Sequence, residues 1–480
     1  MHAELLTPAQ LARVHDASLD ILENIGLLVR NLRAQEIFRA QGLPFADDGE
    51  TVKLPRAVVE NALHCVPLTF TFIAREQKYD RTLPDDRPVI MTASSAPNLL
   101  DPLTGQERRA YSDDIARIAR LVQTLDGYDA FSVATLAEDA PLDQFTVTRL
   151  YPALKNCLKP LRVSASSADD VRQIIQLGFL AAGSETAYRE RPFITHHYCP
   201  IVSPLTFDLD STGELIYLCE QNLPSYATIV PNGGMSSPYT LLGTLVQANA
   251  EFLAYTTLTQ MIRPGKPLIY STLPTLADLR RGNYAPGSIE NGMLVMGAAQ
   301  LARYYNVPSA GYVGLTNAKL NDAQSGYEAG MSNVAALLAG CDLFSMGGLL
   351  DALMCFDFGK AVIDAEIGLM LKRLARGLEF SEENLSLDVI AETGPAGMFI
   401  DKAQTYALMK ETMLIPDIAD REPRQRWQKL GGLDAQSRAL KRVRELFAHD
   451  HASLLDTDAD TQIRVTFQNL PRGECLALNI

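Results

Sequence analysis

Hydroxyl groups, aromatic rings and glycines recur at eight points of this sequence, and carboxylates are scarce there. Each point follows a short apolar stretch, and together they comprise Ser94 with Ser95, Thr135, 164–167, 196–199, 232–234, Ser271 with Thr272, Tyr312 with 316–322, and 347–351. The faces of aromatic rings attract quaternary ammonium groups. One hypothesis is therefore an aromatic box for a cationic ligand, and packing of the same rings in the core is the alternative. The candidate rings are Tyr198, Tyr239, Tyr312 and Phe356.

The run of His196, His197 and Cys199 is the closest approach to a metal-binding motif. Adjacent residues of a strand point to opposite faces, so residues 196 and 198 share one face and residues 197 and 199 the other. A zinc site needs three or four converging ligands, and no acidic partner is suitably placed. We expect no tightly bound metal, with one histidine lining a cavity and the other packing under a helix.

Nucleophile and nucleotide motifs are weak. Ser94, Ser95 and Ser203 lack a GxSxG context. Asn232, Gly233 and Gly234 precede a predicted helix and could present N–H groups to an anion. A tight turn that requires glycine is the alternative interpretation.

The elements that position these residues repeat along the chain. The pattern predicts a strand at 309–313, a loop at 314–322, a helix at 323–338 and a strand at 342–346, which form one βαβ unit. Similar units predict an α/β fold, a (β/α)8 TIM barrel, and an open doubly wound sheet is the alternative. Loops after such strands carry the chemistry. The predicted strands lie near 88–93, 128–134, 161–165, 193–199, 225–230, 267–272, 309–313 and 342–346.

Three segments are predicted around this repeat. Residues 1–87 are expected to form an N-terminal α+β cap, and a separate domain is the alternative. Residues 88–377 would form the barrel, and residues 378–480 a C-terminal helical extension. Thr7, Pro8 and Gln10 are typical of a helix start with a capping box.

Composition excludes several classes of protein. The 480-residue chain has a formal net charge of −14, which disfavours binding to nucleic acids or to an anionic membrane. No apolar run approaches the length of about 18 residues that a membrane span requires. The seven scattered cysteines lack CxxC spacing, which favours reduced thiols and a cytoplasmic location.

The ordered motifs of the chain resemble the trimethylamine methyltransferase family. The stretch 310–328, with Asn317, Lys319 and Asp322, is similar to a conserved loop and helix of that family. The segments that carry further resemblance are 101–105 with Arg108, 263–265, 288–290, 394–397 and Trp427 with Gly431 and Gly432. The chain departs from the pattern in two places: Asn317 replaces an acidic residue, and Gln404 with Thr405 stands where many members have His-Thr.

The resemblance implies a (β/α)8 enzyme that moves a methyl group from a methylated amine to cobalt. The cobalt belongs to a corrinoid (cobalamin) carried by a cognate partner protein. Leu320 lies near the place of pyrrolysine in the founding member, so the chain resembles the non-pyrrolysine branch, with substrates such as glycine betaine. We also expect a homo-oligomer. The alternatives are a non-catalytic protein that binds the amine or corrinoid, and a metal-dependent hydrolase or lyase on the same barrel.

The resemblance also implies roles for individual residues. The leaving amine is neutral, so no general acid is required. If the substrate carries a carboxylate, the candidates to bind it are His196, His197, Lys319 and Arg280. The predicted catalytic residues are Lys319, Asp322, Gln324 and Glu328. The predicted substrate-binding residues are Ser94, His196, His197, Tyr198, Tyr312, Asp351 and Phe356. The predicted cofactor-binding residues are Gly233, Gly234, Gly314, Thr316, Gly347 and Gly348.

Overall fold

A computed structural model describes residues 3–478, and its central part alternates parallel strands with helices. The fold is of the α/β class, as predicted. The eight parallel strands are β1 (Val89–Met91), β2 (Phe131–Ser132), β3 (Leu161–Ser164), β4 (Ile194–Tyr198), β5 (Ser225–Ala227), β6 (Tyr270–Thr272), β7 (Ser309–Tyr312) and β8 (Leu343–Ser345). The principal helices between and after them are α1 (Ser112–Thr124), α2 (Phe145–Asn156), α3 (Ala168–Ala181), α4 (Asp210–Gln221), α5 (Leu241–Ile262), α6 (Ile289–Tyr305), α7 (Ala323–Leu338) and α8 (Phe358–Ala375).

The parallel strands form two four-stranded sheets. One sheet has the order β2-β3-β4-β5, and the other has the order β6-β7-β8-β1. A parallel bridge between Met91 and Ala130 joins β1 to the start of β2. A second parallel bridge, between Ile229 and Thr272, joins the end of β5 to β6. The sheets are therefore linked at both pairs of edges.

Local sequence accounts for the helix starts. Ser167 caps α3 by accepting a hydrogen bond from the Asp170 N–H, and Asp322 caps α7 in the same way. The predicted start at Ser112 is shifted, because Ser112 is the first helical residue of α1 and its hydroxyl donates to Asp139. Ser288 occupies the cap position of α6 without a side-chain hydrogen bond.

The N-terminal segment packs on the parallel strands. Thr7 and Gln10 form the predicted capping box. Phe70, Phe72 and Leu83 of a short hairpin cluster with strand residues that include Val89 and Met91, so the hairpin covers one end of the strands. The helices of this segment are Pro8–Asp20 (continued by a π-helical turn, Ile21–Ile25), Leu32–Ala40 and Arg56–His64. Its strands are Leu27–Val29, Thr51–Val52, Phe70–Phe72 and Arg81–Leu83.

Short strands and helices complete the chain. The strands in the loops after parallel strands are Asn98–Leu100, Glu107–Arg109, Ile201–Val202, Thr206–Phe207, Asn232–Gly233, Thr275–Asp278, Asn283–Tyr284, Leu349–Leu350 and Cys355–Asp357. The remaining helices are Glu185–Glu190, Leu387–Thr393, Ala403–Leu408, Arg424–Lys429, Ala435–Leu446 and Thr457–Thr466. One hydrophobic cluster contains Leu22, Val163 and Val443, so residues of all three predicted segments share a core. Within residues 3–478, every helix is too short or too polar to traverse a lipid bilayer.

Candidate functional site

The side chain of a buried arginine reaches residues at the ends of several parallel strands. Arg162, on β3, is 1% exposed and donates hydrogen bonds to hydroxyl oxygens of four other segments. Its Nε donates to Ser132 (3.0 Å) and its Nη1 to Tyr226 (2.9 Å) and Ser345 (3.5 Å). Its Nη2 donates to Ser94, three residues beyond β1, at 2.7 Å. The guanidinium therefore occupies the space that the strands surround.

Arg162 has no anionic partner among residues 3–478. Its guanidinium carbon lies 5.4 Å from the ring centroid of Tyr312 and 5.9 Å from that of Tyr226. In the part of the chain that the structure describes, no carboxylate forms an ion pair with Arg162. Buried charges are ordinarily paired, because removing an ion from water is costly. An unpaired guanidinium at strand ends is thus a candidate binding group.

A second arginine, which has no ion-pair partner among residues 3–478, donates to the serine that follows Ser94. Arg149, on α2, is buried, and its Nε donates to the Thr135 carbonyl at 3.1 Å. Its Nη2 donates to the Ser95 hydroxyl at 2.8 Å. Burial lowers the pKa of Arg149 to about 10, so the group remains cationic at neutral pH. Adjacent serines thus each accept a hydrogen bond from a different buried guanidinium.

His197 extends this hydroxyl-rich interior. Its Nδ1 lies 3.0 Å from the Ser164 hydroxyl, and its Nε2 lies 2.8 Å from the Thr228 hydroxyl. The Thr228 hydroxyl in turn lies 2.8 Å from that of Ser271. Burial, and then the charge of Arg162, hold the pKa of His197 well below its usual value. The neutral imidazole can share hydrogen bonds with a ligand, but it does not supply the cation expected for a carboxylate.

His196 lies on the opposite face of β4. The side chain is buried, and neither ring nitrogen has a hydrogen-bond partner. Its neighbour on that face, Tyr198, packs against Tyr255 of α5 with 6.3 Å between ring centroids. Burial, and then the charge of Lys266, lower the pKa of His196 to about 3. His196 and Tyr198, both predicted to bind substrate, therefore lie behind the strand, whereas His197 faces the interior.

We predict that His196→Leu reduces the acid sensitivity of folding. In the unfolded chain a histidine binds a proton below about pH 6.5, whereas folded His196 stays neutral until about pH 3. The contribution of neutral His196 to the free energy of unfolding is therefore fully present above about pH 6.5 and is lost as the pH falls below that value. The expected loss from this residue between pH 7.5 and pH 5 is about 2 kcal/mol. Urea unfolding at both pH values measures the free energy of unfolding. Between pH 7.5 and pH 5 it should fall by about 2 kcal/mol less in the variant than in the wild-type protein. An equal fall in the two proteins would contradict the assignment.

Glu328 of α7 holds the loop after β7. One carboxylate oxygen accepts hydrogen bonds from the Thr316 hydroxyl (2.5 Å) and the Asn317 N–H (2.9 Å). The other accepts from the Gln324 amide at 2.9 Å. Asn317 also donates to the carbonyl of Tyr284 at 2.9 Å, which connects the loop to its neighbour. Glu328 thus positions the loop, and Gln324, on the same helix, holds the Glu328 carboxylate.

Other predicted catalytic residues form the rim of the site. Asp322 caps α7 through its side chain. Lys319 pairs with Asp351 at 2.9 Å, and both side chains are exposed. Arg280, a candidate for a substrate carboxylate, is 87% exposed and already pairs with Asp278 at 2.9 Å. These ion pairs lie in water, where they contribute little energy.

Glu328→Ala is predicted to impair activity more than stability. The substitution removes the two hydrogen bonds, from Thr316 and Asn317, that hold the loop to α7, and hydrogen bonds to a charged group contribute about 1.5–3 kcal/mol each. We expect catalytic efficiency to fall about 100-fold, as the loop no longer holds one conformation, while the unfolding temperature changes by only a few degrees. Steady-state kinetics and thermal unfolding test this. Unchanged kinetics would show that the loop does not position the site.

The glycines of the site are required by internal packing. A Cβ on Gly347 would lie 2.4 Å from the Tyr128 hydroxyl, and one on Gly348 would lie 2.3 Å from the Phe356 ring. A Cβ on Gly314 would approach Asn333 at 2.9 Å. Likewise, the Cβ position of Gly233 faces Leu276, and that of Gly234 faces Tyr239. These contacts account for the glycines without an approaching macrocycle.

The four rings of the predicted aromatic box are not brought together. Tyr312 lies beside Arg162, whereas Tyr198 faces α5. Phe356 packs edge-on against Phe358, with 5.3 Å between centroids, and Tyr239 is exposed. Among residues 3–478, no ring contact joins any two of the four. Of the four, Tyr312 is the ring at the strand ends with Arg162.

Two arginines of this interior were not predicted. Arg162 stands between Leu161 and Val163 in a buried strand, and a charged residue in such a run is a usable signal. Arg149 has no comparable signal, because it reads as an ordinary helix residue. The described residues contain no cluster of three or more histidine, cysteine, aspartate or glutamate side chains that could hold a metal ion.

Comparisons with known proteins agree with this architecture. A family model described as trimethylamine methyltransferase (MTTB) matches residues 1–469. The chain is 31% identical over 463 residues to a glycine betaine methyltransferase of Desulfitobacterium hafniense strain Y51, covering 96% of this chain and 95% of the relative. It is 30% identical over 432 residues to the trimethylamine methyltransferase MttB of D. hafniense strain DCB-2, covering 90% and 87%. The monomethylamine methyltransferase MtmB of Methanosarcina barkeri, a solved structure, has a TM-score of 0.50 and 13% identity, covering 91% of this chain and 98% of that one.

Proposed function

The chain belongs to the trimethylamine methyltransferase family, and from this membership we propose that it transfers a methyl group from a quaternary or tertiary amine to the Co(I) corrinoid of a partner protein. Glycine betaine is the first candidate substrate. The match of the family model to residues 1–469 carries the proposal, because it spans both the loop 314–322 and the strands that surround Arg162. The relatives support a methyltransferase for methylated amines.

We further infer that the eight parallel strands form one closed (β/α)8 barrel. The two sheets each contain four parallel strands, and bridges connect them at both edges. Arg162 supports this inference, since it reaches residues on or after β1, β2, β5 and β8. Active sites of such barrels lie at the carboxyl ends of the strands.

The chain's own residues would hold the amine and exclude water. The face of Tyr312 and the hydroxyls around His197 can surround a methylated nitrogen without transferring a proton. The amine leaves neutral, so no acid is required. Glu328 would act by positioning the loop over the site, and the rim pair of Lys319 and Asp351 by closing it. When bound, the corrinoid supplies the metal nucleophile that accepts the methyl group.

The rim of the strand ends suits a large partner. Exposed apolar side chains lie in the loops after β5, β6, β7 and β8, and we infer that they form one apolar surface of the kind typical of interaction sites. These side chains are Val230, Met235, Leu279, Leu320 and Met354. They fit a macrocycle presented by a second protein better than the glycines do, because the glycines face the chain's own side chains.

The proposal is tested by mixing the protein with Co(I) cobalamin and one amine at a time. The panel is glycine betaine, proline betaine, carnitine, choline and trimethylamine. We expect the methyl-Co(III) spectrum with at least one amine, at a rate proportional to protein concentration. Samples without protein or without amine are the controls. Binding of an amine with no spectral change across the panel would instead identify a binding protein.

A further inference from the structure

We propose that Ser94 and Ser95 bind an anionic group of the methylated amine, and that Arg162 and Arg149 are positioning residues that orient and polarise the two hydroxyls. This inference rests on the proposed function and names the chemical class of its substrate. The substrate would be zwitterionic, with a carboxylate in addition to the methylated nitrogen. The two serines would be the specificity-determining residues.

The hydroxyls of Ser94 and Ser95 each accept a hydrogen bond and still have a proton to donate. The Ser94 oxygen accepts a hydrogen bond from Arg162 at 2.7 Å, and the Ser95 oxygen accepts one from Arg149 at 2.8 Å. Neither hydroxyl donates to any atom of residues 3–478. A serine hydroxyl has one proton to donate, and these two are still available. Both serines are half-buried, so a ligand can reach them.

The positive charges of Arg162 and Arg149 are not neutralised by any carboxylate of residues 3–478. Both guanidiniums are buried, and no ion pair with a carboxylate of the described chain involves either of them. Their other partners are carbonyl or hydroxyl oxygens, which are neutral. Two unpaired cations attract an anion far more strongly in a buried interior than they would in water, because the interior has a lower dielectric constant. A hydroxyl that accepts from a cation is also a stronger donor to an anion.

The other ionisable groups around the site do not compete with the two serines for an anion. Asp278, Asp351 and Glu328 lie on segments that follow β6, β8 and β7, and each already has a cation or several N–H and O–H donors of its own. His197 is neutral and can only supplement the serines. A site built to hydrogen-bond one substrate group rejects analogues that lack it, because its polar groups are then left unpaired. The serines should thus distinguish glycine betaine from choline.

The experiment measures binding by calorimetry, without corrinoid, for glycine betaine, choline and trimethylamine. We expect wild-type protein to bind glycine betaine at least tenfold more tightly than choline. Ser94→Ala and Ser95→Ala should each reduce that ratio several-fold, while the Kd for choline changes less than threefold. Ser94→Thr, which keeps a hydroxyl, should retain most of the preference.

Arg149 tests the positioning role. Arg149→Met should lower the same ratio, and Arg149→Lys should restore part of it, which a purely structural effect on folding would not do. Arg33→Met is the matched control, because Arg33 is an exposed arginine that pairs with Glu36, and it should leave both Kd values unchanged.

Two results would overturn the inference. One is wild-type protein that binds choline or trimethylamine as tightly as glycine betaine, or binds no carboxylated amine. The other is a serine variant that weakens all ligands equally. Because no corrinoid is present, a carboxylate preference without methyl transfer would refute the proposed function alone, and methyl transfer without a carboxylate preference would refute this inference alone.

Discussion

Replacing Arg162 with methionine is expected to lower the catalytic efficiency for a carboxylated amine by about 1,000-fold. The guanidinium donates hydrogen bonds to Ser94, Ser132, Tyr226 and Ser345, so its loss releases all four hydroxyls at once. Hydrogen bonds that involve a charged group contribute about 1.5–3 kcal/mol each. Loss of two such interactions in the transition state, about 4 kcal/mol in all, corresponds to the stated factor.

The rate of methyl-Co(III) formation measures this effect. With trimethylamine, which has no carboxylate, the same substitution should lower this rate less than tenfold. Arg162→Lys should give an intermediate rate, because an ammonium keeps the charge but cannot reach the same set of hydroxyls. Circular dichroism must show that each variant is folded, and Arg33→Met again serves as the control. Equal losses for both amines would mean that Arg162 supports the strands and does not act on the substrate.

Replacing Gly348 with alanine is expected to destabilise the fold by about 2–5 kcal/mol. Gly348 has a φ of +79°, a region in which a Cβ costs about 1–2 kcal/mol. The new Cβ would also lie 2.3 Å from the buried ring of Phe356, and overpacking of this kind costs about 1–3 kcal/mol. The Gly348 N–H donates to Asp364, itself paired with Lys360, so the loop has little freedom to move away.

Gly330 provides the matched control. It lies within α7, where nothing stands within 4 Å of an added Cβ. Gly330→Ala should therefore stabilise the protein by about 0.5–1 kcal/mol, because alanine is the better helix former. Denaturant unfolding of the two variants beside wild-type protein gives the comparison. A Gly348→Ala variant as stable as wild type would show that the loop is free to shift, and would reopen the possibility that the glycine is kept for a ligand.

Local features of the sequence determined most of the secondary structure. Each of the eight predicted strand positions contains an observed strand, and the helix predicted at 323–338 is α7. Asp322 and Thr7 cap helices because a side-chain oxygen two or three residues from an unpaired N–H is a contact within one turn. That the two histidines of β4 lie on opposite faces also followed from alternation, but only the structure shows that His197 is the inward one and His196 the outward one.

The composition of the site depended on contacts between distant segments. Arg162 meets Ser94 across 68 positions and Ser345 across 183. Such pairs depend on which strands are neighbours and in what register, and neither is encoded in the residues next to Arg162. Tyr198 and Phe356 face helices or other rings for the same reason, although the sequence placed them at strand ends.

Sequence alone thus determined the family, the α/β class and the order of the elements, because these depend on residue patterns within short windows. Only the tertiary structure decided which charged groups are buried without a partner. The sequence offered His196, His197, Lys319 and Arg280 as partners for an anion, but the fold makes both histidines neutral and leaves Lys319 and Arg280 in exposed ion pairs. Burial and pairing decide whether a charge is available to a ligand, and both are set by segments that meet only when the chain is folded.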